Sequence, residues 1–172
     1  DAELKSIIVA IFIQGSYRRS TAIRPSEGQR SDVDLVVVTN LDPNEVTPNA
    51  ALGRFRRFLN EHYEGKWRTN ERSLGISMSK VDLDLVVTSA PANVEMMRAE
   101  TGEEDVVESA HASAAEAAAW KLDPLHIPNR EWKRWDDTNP LDQLAQTRAK
   151  NGRCNGHYVN VVKAIKWWKR QQ

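Results

Sequence analysis

Two Asp-X-Asp pairs, each running straight into an aliphatic segment, constrain this 172-residue chain more than any other feature. Asp32-Val33-Asp34 leads into Leu35-Val36-Val37-Val38, and Asp82-Leu83-Asp84 leads into Leu85-Val86-Val87. Side chains alternate along a strand, so Asp32 and Asp34 share one face, and so do Asp82 and Asp84. If the two strands are neighbours, up to four carboxylates converge beside an apolar sheet. Such a cluster suffers like-charge repulsion and desolvation unless cations neutralise it. Hard oxygen ligands on a rigid sheet suit magnesium. Two such ions about 4 Å apart lower the pKa of an attacking hydroxyl and stabilise a leaving pyrophosphate, which is the chemistry of nucleotidyl transfer.

A third feature supplies a place for phosphates. Ile7 to Ile13 is a short, β-branched, continuously apolar run that reads as a first strand buried on both faces, and it ends at Gln14-Gly15-Ser16. Glycine lets the backbone approach a phosphate closely, while amide N–H groups and the Ser16 hydroxyl donate to it. Taken singly, Gly-Ser is a common turn and Asp-X-Asp a common solvated strand end. Their order is the informative part: about sixteen residues separate Gly15-Ser16 from the first aspartate pair, and about fifty more lead to the second.

The remaining elements follow from periodicity. Residues 17 to 31 are polar and rich in turn formers, which predicts a surface loop, and Val33 to Val38 predicts the second strand. Thr47-Pro48 reads as an N-cap and first helical residue, with Leu52, Phe55, Phe58, Leu59 and Tyr63 at helical spacing until Gly65. Ile76 to Val87 predicts a third strand. Ala92 to Lys121 is acidic and alanine-rich, compatible with a peripheral helix or a mobile loop. Trp132 to Pro140 reads as an irregular aromatic loop, and Asp142 to Lys150 and Tyr158 to Gln171 as helices. Trp132 and Trp135 pack that loop in the simplest reading, with base stacking as the alternative.

Charge and cysteine content narrow the function classes. The 24 basic and 24 acidic residues cancel, so no global field attracts nucleic acid or an anionic membrane, and no extensive nucleic-acid surface is expected. The charge is uneven: beyond Asp142 stand seven lysines and arginines with no acid, a basic end able to face phosphates. One cysteine, Cys154, excludes an intramolecular disulfide, and no Cys/His cluster has zinc-like spacing. No apolar run is long enough to span a bilayer and no signal-peptide pattern opens the chain, so a cytoplasmic protein is expected.

The string from Gly15-Ser16-Tyr17-Arg18-Arg19-Ser20-Thr21-Ala22-Ile23-Arg24-Pro25 to Ser31-Asp32-Val33-Asp34 closely resembles the signature of the bacterial cGAS/DncV-like nucleotidyltransferases, whose core is often called a SMODS domain, within the DNA polymerase β superfamily. Trp135-Asp136-Asp137-Thr138-Asn139-Pro140 and the helix carrying Lys166-Trp167-Trp168 resemble later landmarks of that family. The resemblance implies an α/β (α+β) nucleotidyltransferase fold, a small mixed twisted sheet with helices packed behind it. It implies that Asp32 and Asp34 bind two Mg2+ ions, with Mn2+ as a substitute. Asp84, standing directly before the apolar run, would be the third ligand and help activate the hydroxyl, with Asp82 as its alternative. Gly15, Ser16 and Lys166 would meet the triphosphate; for Lys166 the competing reading is a solvated lysine on an amphipathic helix.

The resemblance further implies synthesis of a cyclic di- or trinucleotide second messenger from ATP and other NTPs. In that family the product switches on an effector in defence against bacteriophage, and a regulatory protein partner is expected with it. Two departures stand out. Arg19 and Ser20 occupy positions where the family places a small residue and glycine, and neither the N-terminal helix nor the C-terminal helical lobe is present in full. Residues 1–172 thus read as a catalytic domain in fragment form, with 158–171 as a spine helix. The rival readings are a nucleotidyltransferase with a tRNA or small-molecule acceptor, and a non-catalytic nucleotide-binding module.

Overall fold

A computed structural model describes residues 2–90 and 124–172. The predicted segment Ala92 to Lys121 lies outside the described residues. A short helix, α1 (Ala2–Ile7), leads into β1 (Ile8–Gln14) and then a helical turn, α2 (Gly15–Arg18). β2 (Ser31–Thr39) is followed by α3 (Pro48–Gly53) and α4 (Arg56–Tyr63). Three strands follow: β3 (Trp67–Thr69), β4 (Leu74–Ser77) and β5 (Val81–Ser89). After the undescribed segment come β6 (Leu125–Asn129), β7 (Arg134–Thr138), α5 (Pro140–Arg153) and α6 (His157–Arg170).

The strands join in one twisted mixed sheet in the order β1-β2-β5-β4-β3, with β6 pairing β5 and β7 pairing β6. β2 and β5 run parallel at its centre, and the other pairs are antiparallel. The α/β expectation is met, with helices behind the sheet: Leu52, Phe55 and Leu59 from α3 and α4 close over Val37, Val87, Leu74 and Ile76. A second cluster, Val36, Val38, Ala90, Leu125 and Leu141, brings α5 onto the other face. Each fully buried leucine, such as Leu59 or Leu125, contributes roughly 1.5–3 kcal/mol by leaving water. Among the described residues no helix is long and apolar enough to cross a membrane.

Several predicted elements differ in detail. The third strand expected over Ile76 to Val87 is a hairpin, because Met78, Ser79 and Lys80 turn the chain and the Met78 amide donates to the Val81 carbonyl at 3.0 Å. The single helix expected after Thr47 is capped as predicted, Thr47 Oγ1 accepting from the Ala50 amide at 3.3 Å, but it breaks at Arg54 and Phe55 into two helices. The first strand is half-buried along its whole length because β1 ends the strand path.

The predicted aromatic loop is mostly strand. Residues 134–138 pair with 125–129, Trp135 opposite Pro128 and Asp137 opposite His126, and α5 begins at Pro140. Trp135 packs as its first reading held, its indole N–H donating to the Val46 carbonyl at 2.8 Å, whereas Trp132 is 63% exposed beneath the Arg134 guanidinium. On α6, Val161, Ile165, Trp167 and Trp168 face solvent.

Candidate active site

Strand register builds the site. In the parallel pair, Asp32 stands beside Asp82 and Asp34 beside Asp84, so all four carboxylates rise from one face of two adjacent strands. On the other side of β2, Gln14 is paired with Asp34, and the chain leaves β1 at that point as Gly15-Ser16. The three sequence features therefore meet because β1, β2 and β5 are consecutive neighbours in the sheet.

The side chains then separate the four aspartates into three and one. Asp32, Asp34 and Asp84 each offer an oxygen within 4.8 Å of the others. Asp82 instead faces Arg30, whose guanidinium lies 3.3 Å from Asp82 Oδ1 and also donates to the Met78 carbonyl at 2.7 Å. The triad is electrostatically crowded. Burial, followed by the neighbouring Asp34, Asp84 and Asp82, raises the Asp32 carboxyl above the ordinary range, with Arg68 opposing. Burial and Asp84 likewise raise Asp34, with Arg19 opposing. Three hard carboxylate oxygens brought this close together are a donor set suited to a divalent cation such as magnesium.

Gly15 is buried with φ +73°, and a β-carbon there would lie 1.7 Å from Asp34 Oδ2. The Asp34 carboxylate thus occupies the space that glycine leaves open. Ser16 ties down the following loop through its carbonyl, which accepts from the amides of Thr21 at 2.9 Å and Ala22 at 3.0 Å. Ser20, standing where the resembling family has glycine, takes φ +57°, the left-handed conformation that glycine adopts freely.

Lys166 reaches this loop from α6. Its ammonium donates to the Thr21 carbonyl at 3.1 Å, and burial, with the Arg19 charge second, lowers its pKa. Arg19 donates to Gln143 Oε1 at 3.3 Å, and the same oxygen accepts from Gln14 Nε2 at 3.3 Å, so the first turn of α5 fastens the end of β1 to the loop. Among the described residues neither Arg19 nor Lys166 is paired with a carboxylate.

Two contributors escaped the sequence reading. Gln143 is a polar helix residue with no motif around it. Asn70, in the turn between β3 and β4, donates from its side-chain amide to Asp84 Oδ1 at 2.8 Å, and nothing in its neighbours marks it out.

Comparison with known proteins agrees with this geometry. The model of the SMODS family, the Second Messenger Oligonucleotide or Dinucleotide Synthetase domain, matches residues 1–96. The chain is 42% identical to a probable cyclic AMP-AMP-GMP nucleotide synthase of Salmonella paratyphi B and 42% identical to a cyclic AMP-AMP-GMP synthase of Enterobacter hormaechei. Each alignment covers 98% of this chain and 52% of the relative, so the chain spans about half the length of these curated relatives. Among solved structures, a mutant of the Vibrio cholerae di-nucleotide cyclase (DncV), in a complex that includes ATP and GTP, superposes with a TM-score of 0.63 at 19% identity. That match covers 92% of this chain and 41% of the cyclase, and it shows the shared fold.

Proposed function

The chain belongs to the Second Messenger Oligonucleotide or Dinucleotide Synthetase domain family, and from that premise we propose that it is the nucleotidyl-transferring half of a cyclic oligonucleotide synthase. The observation that carries the proposal is the convergence of Asp32, Asp34 and Asp84 within 4.8 Å, on paired strands beside Gly15. Cyclic AMP-AMP-GMP synthases at 42% identity support ATP and GTP as substrates and a cyclic trinucleotide as product.

In this reading Asp32, Asp34 and Asp84 would hold two magnesium ions, which would acidify the attacking hydroxyl and neutralise the leaving pyrophosphate. Asp84 would orient the acceptor hydroxyl and take its proton. The hydroxyl oxygen then bonds to the α-phosphorus of the donor as the bond to the β-phosphate oxygen breaks. Gly15 would admit the triphosphate close to the backbone, with the Ser16 hydroxyl donating to it. Lys166 and Arg19, two cations without a carboxylate partner among the described residues, would face its outer oxygens. A regulatory protein partner, and an effector answering to the product, belong to the same proposal.

The test incubates the 172-residue chain, and a longer form spanning the relatives' full length, with magnesium and labelled ATP and GTP, followed by phosphatase. A phosphatase-resistant product that Asp32→Ala abolishes supports the proposal. Nucleotide binding by the longer form without any such product sinks it. Product from the longer form alone places part of the catalytic machinery outside these 172 residues.

A further inference from the structure

We propose that Asn70 is a positioning residue for the third carboxylate, holding one oxygen of Asp84 so that the other is presented to a bound divalent cation. The inference rests on the reading of Asp84 as a metal ligand, and it starts from an asymmetry within the triad. Asp84 accepts a side-chain hydrogen bond at 2.8 Å from Asn70 Nδ2, whereas Asp32 and Asp34 receive no side-chain hydrogen bond among the described residues. A carboxylate repelled by two like-charged neighbours lowers its energy by rotating away from them. A bond from a neutral amide to a charged acceptor, roughly twice as strong as one between neutral groups, opposes that rotation.

The orientation of the Asn70 amide is fixed by its partners. Its oxygen faces a donor, Arg68 Nε, at 3.2 Å, while its nitrogen faces two acceptors, Asp84 Oδ1 and Ser73 Oγ, the latter at 3.1 Å. The flipped amide would set oxygen against carboxylate oxygen and nitrogen against guanidinium. The turn itself is anchored twice more, because the Asn70 backbone N–H donates to the Ser73 carbonyl at 2.9 Å and Arg130 donates to the Asn70 backbone carbonyl at 3.2 Å. Arg130 leads out of β6, so the hairpin β6–β7 supports the turn that supports Asp84.

Gly75 makes room for this contact. It is paired with Asp84 in the β4–β5 ladder, and a β-carbon there would lie 3.1 Å from Asn70 Nδ2 and 3.2 Å from Asp84 Oδ1. Both distances are tighter than ordinary carbon contacts. Any larger residue at 75 would press on the two groups that form the bond, so Gly75 and Asn70 act on the same carboxylate from adjacent positions.

The test titrates the 172-residue chain with Mn2+ and reads free Mn2+ by electron paramagnetic resonance, with circular dichroism and melting temperature recorded for each variant. Asn70→Ala removes the donor. Asn70→Ser keeps a turn-forming residue and only withdraws the amide. Asp84→Asn is the reference for loss of the ligand. The expected result is a Kd for Mn2+ raised about ten- to a hundred-fold in both Asn70 variants, the usual cost of losing the partner that orients a metal ligand, with native circular dichroism in Asn70→Ser. Gly75→Ala is expected to weaken binding in the same direction. Wild-type affinity in Asn70→Ser, alongside weakened binding in Asp84→Asn, overturns the role of Asn70. Wild-type affinity in Asp84→Asn removes Asp84 from the metal site and the proposal with it.

Discussion

The space that Gly15 leaves by lacking a side chain is filled by the carboxylate of Asp34, whose Oδ2 lies 1.7 Å from where a β-carbon would stand. A turn on one strand and an acid on the next are thereby made interdependent: the glycine admits the acid, and a side chain at position 15 would have to displace it. Gly15→Ala should therefore cost about 1–2 kcal/mol for its left-handed backbone and a further amount for displacing Asp34. Gly28→Ala isolates the first contribution, since Gly28 has φ +77° and nothing within 4 Å of its missing β-carbon. Urea denaturation should show the Gly15 variant clearly less stable than the Gly28 variant, and Mn2+ titration should show weakened binding only in the former. Equal losses in the two would mean that Asp34 moves aside freely.

The raised carboxyls of Asp32 and Asp34 set a sign for the pH dependence of stability. Each binds its proton more tightly folded than unfolded, so its contribution is fully present below the ordinary carboxylate value and is lost as pH rises through the raised one. At neutral pH without metal, the pair therefore weakens the fold. Asp32→Asn with Asp34→Asn should stabilise the metal-free chain at pH 7 by a few tenths to about 1 kcal/mol, a small figure because solvent screens both groups. The gain should vanish at the acid end. Saturating Mn2+ should reverse the ranking, raising the melting temperature of the wild type by an amount that grows with the logarithm of metal concentration and leaving the double variant unmoved.

Trp135 offers a cleaner separation of structure from ligand binding. It stands on the β6–β7 hairpin, which joins β5 at Ser89, five residues beyond Asp84, and its indole N–H donates to the Val46 carbonyl in the loop after β2. Trp135→Phe keeps the aromatic bulk and removes the donor, at a cost of about 1–2 kcal/mol for the unmet carbonyl. Nucleotide affinity should not change. Loss of affinity at unchanged stability would instead give Trp135 a part in nucleotide binding.

How much of this was legible in the sequence depended on whether a signal was local. Strand alternation sufficed to place Asp32 with Asp34 and Asp82 with Asp84, and their shared face needed only the parallel pairing of β2 with β5. The structure gathers Asp84 with Asp32 and Asp34 while Asp82 meets Arg30, fifty-two positions away, and no pattern within β5 reveals that partner. Asn70 and Gln143 were invisible for the same reason: each acts through side-chain hydrogen bonds to residues outside its own element, Asn70 to Asp84 and Gln143 to Gln14 and Arg19. The β6–β7 hairpin was missed because Pro128, the charged turn and Asp136-Asp137 dilute the alternation by which strands are recognised. Its pairing comes from the sheet edge it extends.

Lys166 is where the competing readings of one residue can be told apart. A merely solvated lysine would be exposed and indifferent to its neighbours; here the ammonium is half-buried, bonded to the Thr21 carbonyl, and near enough to Arg19 for that charge to favour its neutral form. Two like charges held together cost energy unless an anion joins them, and the loop they touch begins at Gly15-Ser16. If that anion is the triphosphate, Lys166→Met should lose a charge-assisted contact of about 1.5–3 kcal/mol, weakening ATP binding roughly ten- to a hundred-fold. Arg19→Met should do the same to a smaller extent because the guanidinium keeps a neutral partner in Gln143. Both effects should shrink as salt screens the charges. Calorimetric titration of the chain with ATP and Ca2+, a cation expected to bind without supporting turnover, gives the measurement. Unchanged affinity in Lys166→Met would return the residue to the solvated reading, and its bond to Thr21 would then serve only to dock α6.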